Sequence, residues 1–399
     1  MQGTIMMIGG GIESLPGISE ATALGLDVFC TDSDASAPGL EQAAHEACVS
    51  TYDIEGTLRE AEKWERFNGP LCGVFSLGCD VPMTVAAVAN ARGLVSISNE
   101  AARIAANKIL QREAGRGMGR AHMAPAVDLT DPDYPIIVKP PDGRGSRGVS
   151  VVTEPAGLTT AWHRAIESST SGVAIAEQIV HGQQISVEGM VVGDDHTARI
   201  VGISDRNYSR WGQFAPYIIE DGGDMPADLT DPARRLIAMR FEDHARAMGL
   251  TTGPVKADMI ATADDVIIVE MHARLSGGHF AAFQIPAATG VNLVSLAIRQ
   301  CVGDRLTRAD LAPSCNTHVC QRYLFPGKLG EILAIRGVAD LDSWRGLLLV
   351  DIRARAGQRV TEVRSHSDRL GCVMATGATR NAAQEAAEAA IENIELVMG

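Results

Sequence analysis

The sequence predicts an α/β chain that turns α+β: an open parallel sheet first, then a central domain of two α+β subdomains, then a closing α+β domain. Three observations predict this. Up to about residue 100, short apolar runs alternate with helical patterns across glycine turns, as in a small parallel sheet. Beyond residue 130 the apolar runs come in pairs around turns, as hairpins do. The 399 residues, at roughly 150 per domain, leave room for two to three domains. The expected boundaries are 1–100, 101–304 and 305–399.

In the first domain "TIMMI" reads as a strand, "GGG" as a turn, "SLPGISEATALG" as a helix, and the run ending "DVFCTDSD" as a second strand. A polar helix "TLREAEKWERF", a strand "LCGVFSLG", a helix "VPMTVAAVANARG" and a run "LVSIS" continue the alternation. The glycine-rich start has no basic region and is expected to be a strand rather than a signal peptide. The arrangement is Rossmann-like, and Gly9, Gly11 and Asp32 imitate a dinucleotide fingerprint. Ser14 stands where the third glycine belongs, so the glycines are read as close helix–strand packing, with a nicotinamide cofactor as the lesser reading.

The central domain opens with one helix, "AARIAANKILQREAGRGMG", and a loop to Pro125. A short strand in "YPIIVKPP" then delivers Lys139 to a turn holding Gly143, Gly145 and Gly148 among Arg144, Ser146 and Arg147, and "GVSVV" returns. Such glycines free backbone N–H groups to converge on an anion. The spacing is not that of a P-loop. "VAIAEQIVHGQQISVEGMVV" reads as another strand pair, residues 204–226 as a long loop, and residues 234–248 as a helix.

A second hairpin follows, "TTGPVKADMIATADDVIIVEMHARLSGGH". At period two Ile267, Val269, Met271, Ala273 and Leu275 share an apolar face, while Glu270, His272 and Arg274 share the other. These three are costly to desolvate unless they hold something. A three-residue loop, 263–265, sets Asp258 opposite Glu270 and Lys256 opposite His272; a four-residue loop would turn Asp258 away. Clustering of the two carboxylates favours the odd loop, and opposed acids imply a cation between them.

After a helix expected around 290–302, the last domain is expected to hold strands near 317–324, 330–336, 347–355 and 370–376, and a helix "NAAQEAAEAAIENIELVMG" whose outer face could serve a homodimer. Thirty-five Lys and Arg against 49 Asp and Glu give a net charge of −14 with no basic run, which argues against nucleic acid. No apolar run approaches the roughly 18 residues of a membrane helix. Eight scattered cysteines without a CxxC pair suggest reduced thiols and a cytoplasmic protein. "CNTHVC", with Cys315, His318 and Cys320, reads as a strand with buried thiols rather than a metal site.

A lysine before a glycine-rich hairpin, an acidic hinge strand, and a late hairpin with an acid followed by Glu-x-His/Asn-x-Arg together resemble the ATP-grasp superfamily. The resemblance covers essentially the whole chain and is greatest to carboxylate–amine ligases of the L-amino acid ligase type. It implies an ATP-grasp fold and a set of ligands. Lys108, in "ANKILQR", would reach the phosphates and Lys139 the α-phosphate side and adenine. Gly143, Gly145, Ser146 and Gly148 would close over the β- and γ-phosphates. Glu177, Gln178 and Ile179, in "AEQIV", would form the adenine hinge, and Gln184 replaces the usual ribose-binding glutamate. Asp258 and Glu270 would bridge magnesium. His272 stands where most members carry asparagine, so it is either a metal ligand tolerant of manganese or a hydrogen-bond donor to phosphate. Arg274, Ser276, Gly277 and Gly278 would steady the transferred phosphoryl group.

The implied reaction is ATP-dependent formation of an acyl phosphate from a small carboxylate, plausibly an amino acid, and its capture by an amine. Activation of bicarbonate or formate is the alternative. A dehydrogenase leaves residues 256–278 unexplained, and a silent nucleotide-binding module has no use for Asp258, Glu270 and Arg274 together. Arg206, Tyr208, Arg210 and Trp211 are either a specificity lid or an exposed loop; His318 and Arg322 are weaker candidates.

Overall fold

The computed structural model describes residues 3–116, 123 and 126–399. Its first sheet has four parallel strands in the order His45–Cys48, Asp27–Asp32, Thr4–Ile8 and Leu71–Phe75. Thr4–Ile8 is buried at every position because helices cover both faces of the sheet, which is why it reads as an unbroken apolar run. Two expectations change here. Residues 94–98 form no strand: the Ile97 carbonyl accepts from Asn90 at 2.9 Å, and Ser98 caps the helix Asn99–Ala105. The fourth strand is His45–Cys48, an edge strand too exposed to show an apolar pattern. Asp32 accepts from the Gly10 amide at 2.8 Å, so its carboxylate fastens the glycine turn.

The single helix expected at 101–119 is two, Asn99–Ala105 and Lys108–Arg116, because Asn107 turns its side-chain oxygen onto the Ile109 amide at 2.9 Å and caps a new start. The loop expected to run to Pro125 lies largely outside the described residues. Ser150–Val152, Ile136–Lys139 and Ile175–Gln178 form a small antiparallel sheet beneath the helix Pro155–Glu167. The strand pair expected at 173–192 therefore splits, since Gln183–Val192 joins a different sheet.

That second sheet has eight strands, ordered Val266–His272, Gly253–Ala261, Gln183–Val192, Thr197–Asn207, Gly222–Met225, His318–Leu324, Gly371–Gly377 and Leu347–Ile352. It runs on without a break past residue 305. The segment 204–226 is thus not one loop but the end of a strand, a short helix Trp211–Phe214 and the strand Gly222–Met225. The terminal helix stops at Asn393, and Glu395–Met398 pairs with Gly330–Arg336, with Leu396 and Met398 packed against the last core. No single helix among the described residues is long and apolar enough to cross a membrane.

The late hairpin sets Asp258 opposite Glu270 and Lys256 opposite His272, but by another route than the one expected. Ala261 pairs with Val266, so the loop has four residues, and Thr262 closes it on the Asp265 carbonyl at 2.9 Å. Between Met259–Ile268 and Asp258–Glu270 the ladder shifts, leaving Val269 as the extra residue of a β-bulge. The bulge reverses the phase of the strand: Ile268 and Met271 enter the core, while Val269 joins Glu270, His272 and Arg274 on the cavity side.

Candidate active site

A cavity of about 920 Å³ opens between the small sheet, the large sheet and the first domain. Lys139, at the end of its strand, and the 143–148 loop form one wall. Lys108 enters from the start of its helix, and Glu177, Gln178, Ile179 and Gln184 line the end between the two sheets. Asp258, Glu270, His272, Arg274, Gly277 and Gly278 line the floor. Gly148, predicted to close over the phosphates, is not on the lining: at φ +73°, it lies where a Cβ would come within 2.6 Å of the Ser168 Cβ, so it serves close packing of the loop on its helix.

Each floor carboxylate is matched by cations. Asp258 lies 2.6 Å from Lys256 Nζ and 2.8 Å from Arg206 Nη1. Glu270 lies 2.8 Å from Lys108 Nζ and 3.3 Å from His272 Nε2. Glu177 is buried between Arg112 and Lys139, so its carboxylate is spent on cations. Opposed acids cannot stay ionised in a buried site without such partners. Despite burial, which acts the other way, Lys108 and His272 hold Glu270 well below the ordinary carboxylate range.

Asp80, which no sequence pattern singled out, completes the floor. It lies 3.4 Å from His272 Nδ1 and 3.2 Å from Arg274 Nε. Burial favours its neutral form, but His272 and Arg274 keep it ionised. Burial likewise opposes the charge on His272, and Asp80 and Glu270 outweigh it, raising the imidazole above its usual value. Both imidazole nitrogens, Asp80 Oδ1 and Arg274 Nε are nonetheless buried without a well-aligned hydrogen bond. Four such atoms side by side suit a site built for a charged ligand. Asp80 follows the C-terminal end of a parallel strand, the usual place for ligand contacts, and that position was the available signal.

Two further acids brace the 274–278 turn. Glu188 accepts from the Ser276 amide at 2.7 Å and its hydroxyl at 2.6 Å. Glu13 accepts from the Gly278 amide at 3.0 Å, and a Cβ on Gly277 would stand 2.1 Å from its carboxylate, so any side chain at 277 would push the Glu13 carboxylate aside. Arg206 and Tyr208 line the cavity and Trp211 sits at its rim, whereas Arg210 stacks over Phe325 outside it. Arg206 is already paired with Asp258 and Glu220. His318 and Arg322 do not reach the cavity; Arg322 pairs with Asp224 and Glu388.

Asp258 and Glu270 offer the hard oxygens that magnesium prefers, facing one another across a fixed hairpin. A second group of donor atoms, from His279, Asp351 and Cys372, lies within 4.8 Å. It suits a cation poorly: Arg353 Nε sits 2.8 Å from the same Asp351 oxygen that His279 meets, and burial pushes the Cys372 thiol up to about 12. All eight cysteines are free, and Cys315, His318 and Cys320 form no metal cluster among the described residues.

Residues 95–309 match the family model described as carbamoyl-phosphate synthase L chain, ATP binding domain, and residues 322–399 that of L-amino acid ligase C-terminal domain 2. Among curated proteins the chain is 23% identical, over 354 residues, to the uncharacterized protein y4rH of Sinorhizobium fredii, covering 86% of this chain and 68% of that one. Among solved structures it is similar to the L-amino acid ligase from Bacillus licheniformis, with a TM-score of 0.84, 19% identity, and 100% and 99% of the two chains covered. It is also similar to the biotin carboxylase domain of Hydrogenobacter thermophilus 2-oxoglutarate carboxylase, solved with MgADP and bicarbonate, with a TM-score of 0.75, 16% identity, and 99% and 90% covered.

Proposed function

This chain belongs to the ATP-grasp family, and from that premise we propose that it is an ATP-dependent ligase joining a small carboxylic acid, plausibly an amino acid, to an amine. The observation that carries the reading is the floor of the cavity. Asp258 faces Glu270, and Lys256, Arg206, Lys108 and His272 stand around them beneath a glycine-rich loop. Such a set balances a tetra-anionic nucleotide with its metal, and phosphoryl transfer asks of a protein mainly positioning and charge neutralisation.

The bond between the γ-phosphorus and the ADP oxygen breaks as a carboxylate oxygen of the substrate bonds to that phosphorus. The amine nitrogen then attacks the carbonyl carbon, phosphate leaves with the bonding electron pair, and the amine proton is released. Asp258 and Glu270 would hold magnesium, which when bound would supply neutralisation of the negative charge on the phosphates. Lys108 and Lys139 bind phosphate oxygens, the 178–180 backbone meets the adenine edge, and Gln184 takes the ribose. Arg274 and the Gly277 amide receive the transferred phosphoryl group, in a turn that the Gly278 amide ties to Glu13. His272 donates a hydrogen bond to phosphate. A histidine ligand would instead favour manganese, which accepts nitrogen more readily than magnesium does.

Hydroxylamine offered in place of the amine tests the scheme: the acyl phosphate should be trapped as a hydroxamate with one ADP per product. Release of AMP and pyrophosphate would overturn it. The same assay with bicarbonate or formate as the acid separates the alternative substrates.

A further inference from the structure

The 143–148 loop that faces the cavity is held by two domains to which it does not belong. From the first domain, Tyr52 lies under the Arg144 guanidinium at 4.3 Å from the ring centre, and the Asp80 carbonyl accepts from Arg144 at 3.4 Å. From the last domain, the His366 amide donates to the Gly145 carbonyl at 3.0 Å, and His366 Nε2 lies 3.2 Å from Ser146 Oγ. The Glu220 amide also donates to Nε2, at 3.3 Å. A backbone N–H can only donate, so Nε2 is the acceptor, the ring proton sits on Nδ1, and the Ser146 hydroxyl is a donor.

Ser146 shows that the contact matters to the loop. It lies at φ +58°, directly after Gly145 at φ +60°, in the left-handed region that glycine enters freely and serine does not. A glycine would be the cheaper residue at 146 by backbone geometry alone. Serine adds a hydroxyl there, and that hydroxyl meets His366. The histidine is itself fixed, because Ser365 and Asp368 close a reciprocal cap around residues 366–368 and Arg369 pairs with Glu220 at 3.1 Å. Burial and the neighbouring Arg369 hold the imidazole well below its usual value, in the neutral form the contact needs. Glu220, Arg206 and Lys256 are the other charged groups that act on it.

We propose that His366 is a positioning residue that latches the 143–148 loop over the cavity through Ser146 and the Gly145 carbonyl, so that retention of the nucleotide depends on the last domain. The proposal rests on the reading of this loop as the cover of the ATP phosphates. The latch acts on the loop and touches no reacting atom.

Limited trypsin digestion of the whole protein reads the loop directly, since Arg144 and Arg147 are cleavage sites within it. His366→Ala and Ser146→Ala should each raise nicking at these arginines in the nucleotide-free protein by about fivefold or more, as expected when a local opening becomes easier. Each should raise KM for ATP by a larger factor than it lowers kcat. His366→Gln, whose amide oxygen reaches near the Nε2 position, should recover most of both effects. The double variant His366→Ala/Ser146→Ala should be no worse than the more affected single one, as for two residues sharing one contact. Parent-like nicking in both single variants, or additive effects in the double one, would overturn the latch. ATP with magnesium should slow nicking of the parent; if it does not, the phosphate-cover reading fails, while the dependence of nicking on His366 without nucleotide still judges the latch.

Discussion

Asp258 faces Glu270 across the hairpin because Val269, between Ile268 and Glu270, is squeezed out of the ladder. With the four-residue loop and no bulge, Asp258 would face residue 269, and the two carboxylates would point to opposite sides of the sheet. One extra residue therefore assembles the acidic pair. The pair is tolerable only because four cations crowd it, and each of these must give ground when a metal nucleotide arrives.

Glu270→Gln and Asp258→Asn should lower kcat for ADP release by about two orders of magnitude or more at saturating magnesium, since amides are poor ligands for a hard cation and the lost charge stabilisation acts on the transferring group. Nucleotide binding should suffer less, because the surrounding cations remain. Calorimetric titration with ATP beside an ADP-release assay separates the two effects. A parent-like turnover in either variant would remove these acids from the metal site.

Lys108→Ala and Lys139→Ala should weaken ATP binding by about 10- to 100-fold, corresponding to roughly 1.5–3 kcal/mol for a partly buried charge-assisted contact. The two should differ in their effect on the fold. Lys139→Ala leaves Glu177 still paired with Arg112, whereas Lys108→Ala leaves Glu270 with His272 as its remaining ion-pair partner among the described residues. Thermal unfolding without nucleotide should therefore show the larger loss for Lys108→Ala, and calorimetry with ATP should show a loss for both.

Much of this site was legible in the sequence, for physical reasons that can be named. Glycines that permit left-handed turns and a lysine ending an apolar strand stand next to each other in the chain, so the wall of the cavity announces itself locally. The floor triad Glu270, His272 and Arg274 shows up as polar residues at period two. Val269 broke that pattern's phase, because a bulge depends on the partner strand and leaves no mark in its own. Asp80 and His366 come from domains distant in the chain and meet the floor and the loop only in three dimensions. The edge strand His45–Cys48 was invisible because exposure removes the apolar signal on which strand reading depends.

Glu188 gives the structure a pH dependence with a definite sign. Burial pushes its carboxyl up to about 7, against the lowering effect of Ser276 and, more weakly, Lys256 and Arg274. Its folded value therefore lies above the unfolded one, so the fold favours the protonated form. The resulting penalty is absent at pH values below the unfolded carboxyl, grows as pH rises from there, and is complete above about 7, where it amounts to about 3 kcal/mol. Glu188→Gln lacks this titration. Relative to the parent, the variant should gain stability between pH 5 and pH 8 in chemical denaturation, and a constant difference across that range would contradict the shift.

His272 is the residue on which the metal preference turns. Buried between Asp80 and Glu270, its imidazole is raised above the usual value, so in the nucleotide-free protein it contributes stability that is fully present below about 6.5 and is lost as pH rises through the folded value. His272→Asn should therefore cost most at low pH, with the gap in unfolding midpoint closing as pH rises. Activity distinguishes the two roles. An imidazolium can donate to phosphate oxygens, whereas a metal ligand must be neutral and would lose its metal as pH falls. As a phosphate donor, His272 should leave the parent with no acid limb between pH 5.5 and 8 that the asparagine variant lacks, and both proteins should show the same ratio of activity with magnesium to activity with manganese. An acid limb and a manganese preference in the parent, both gone in His272→Asn, would make His272 a ligand instead.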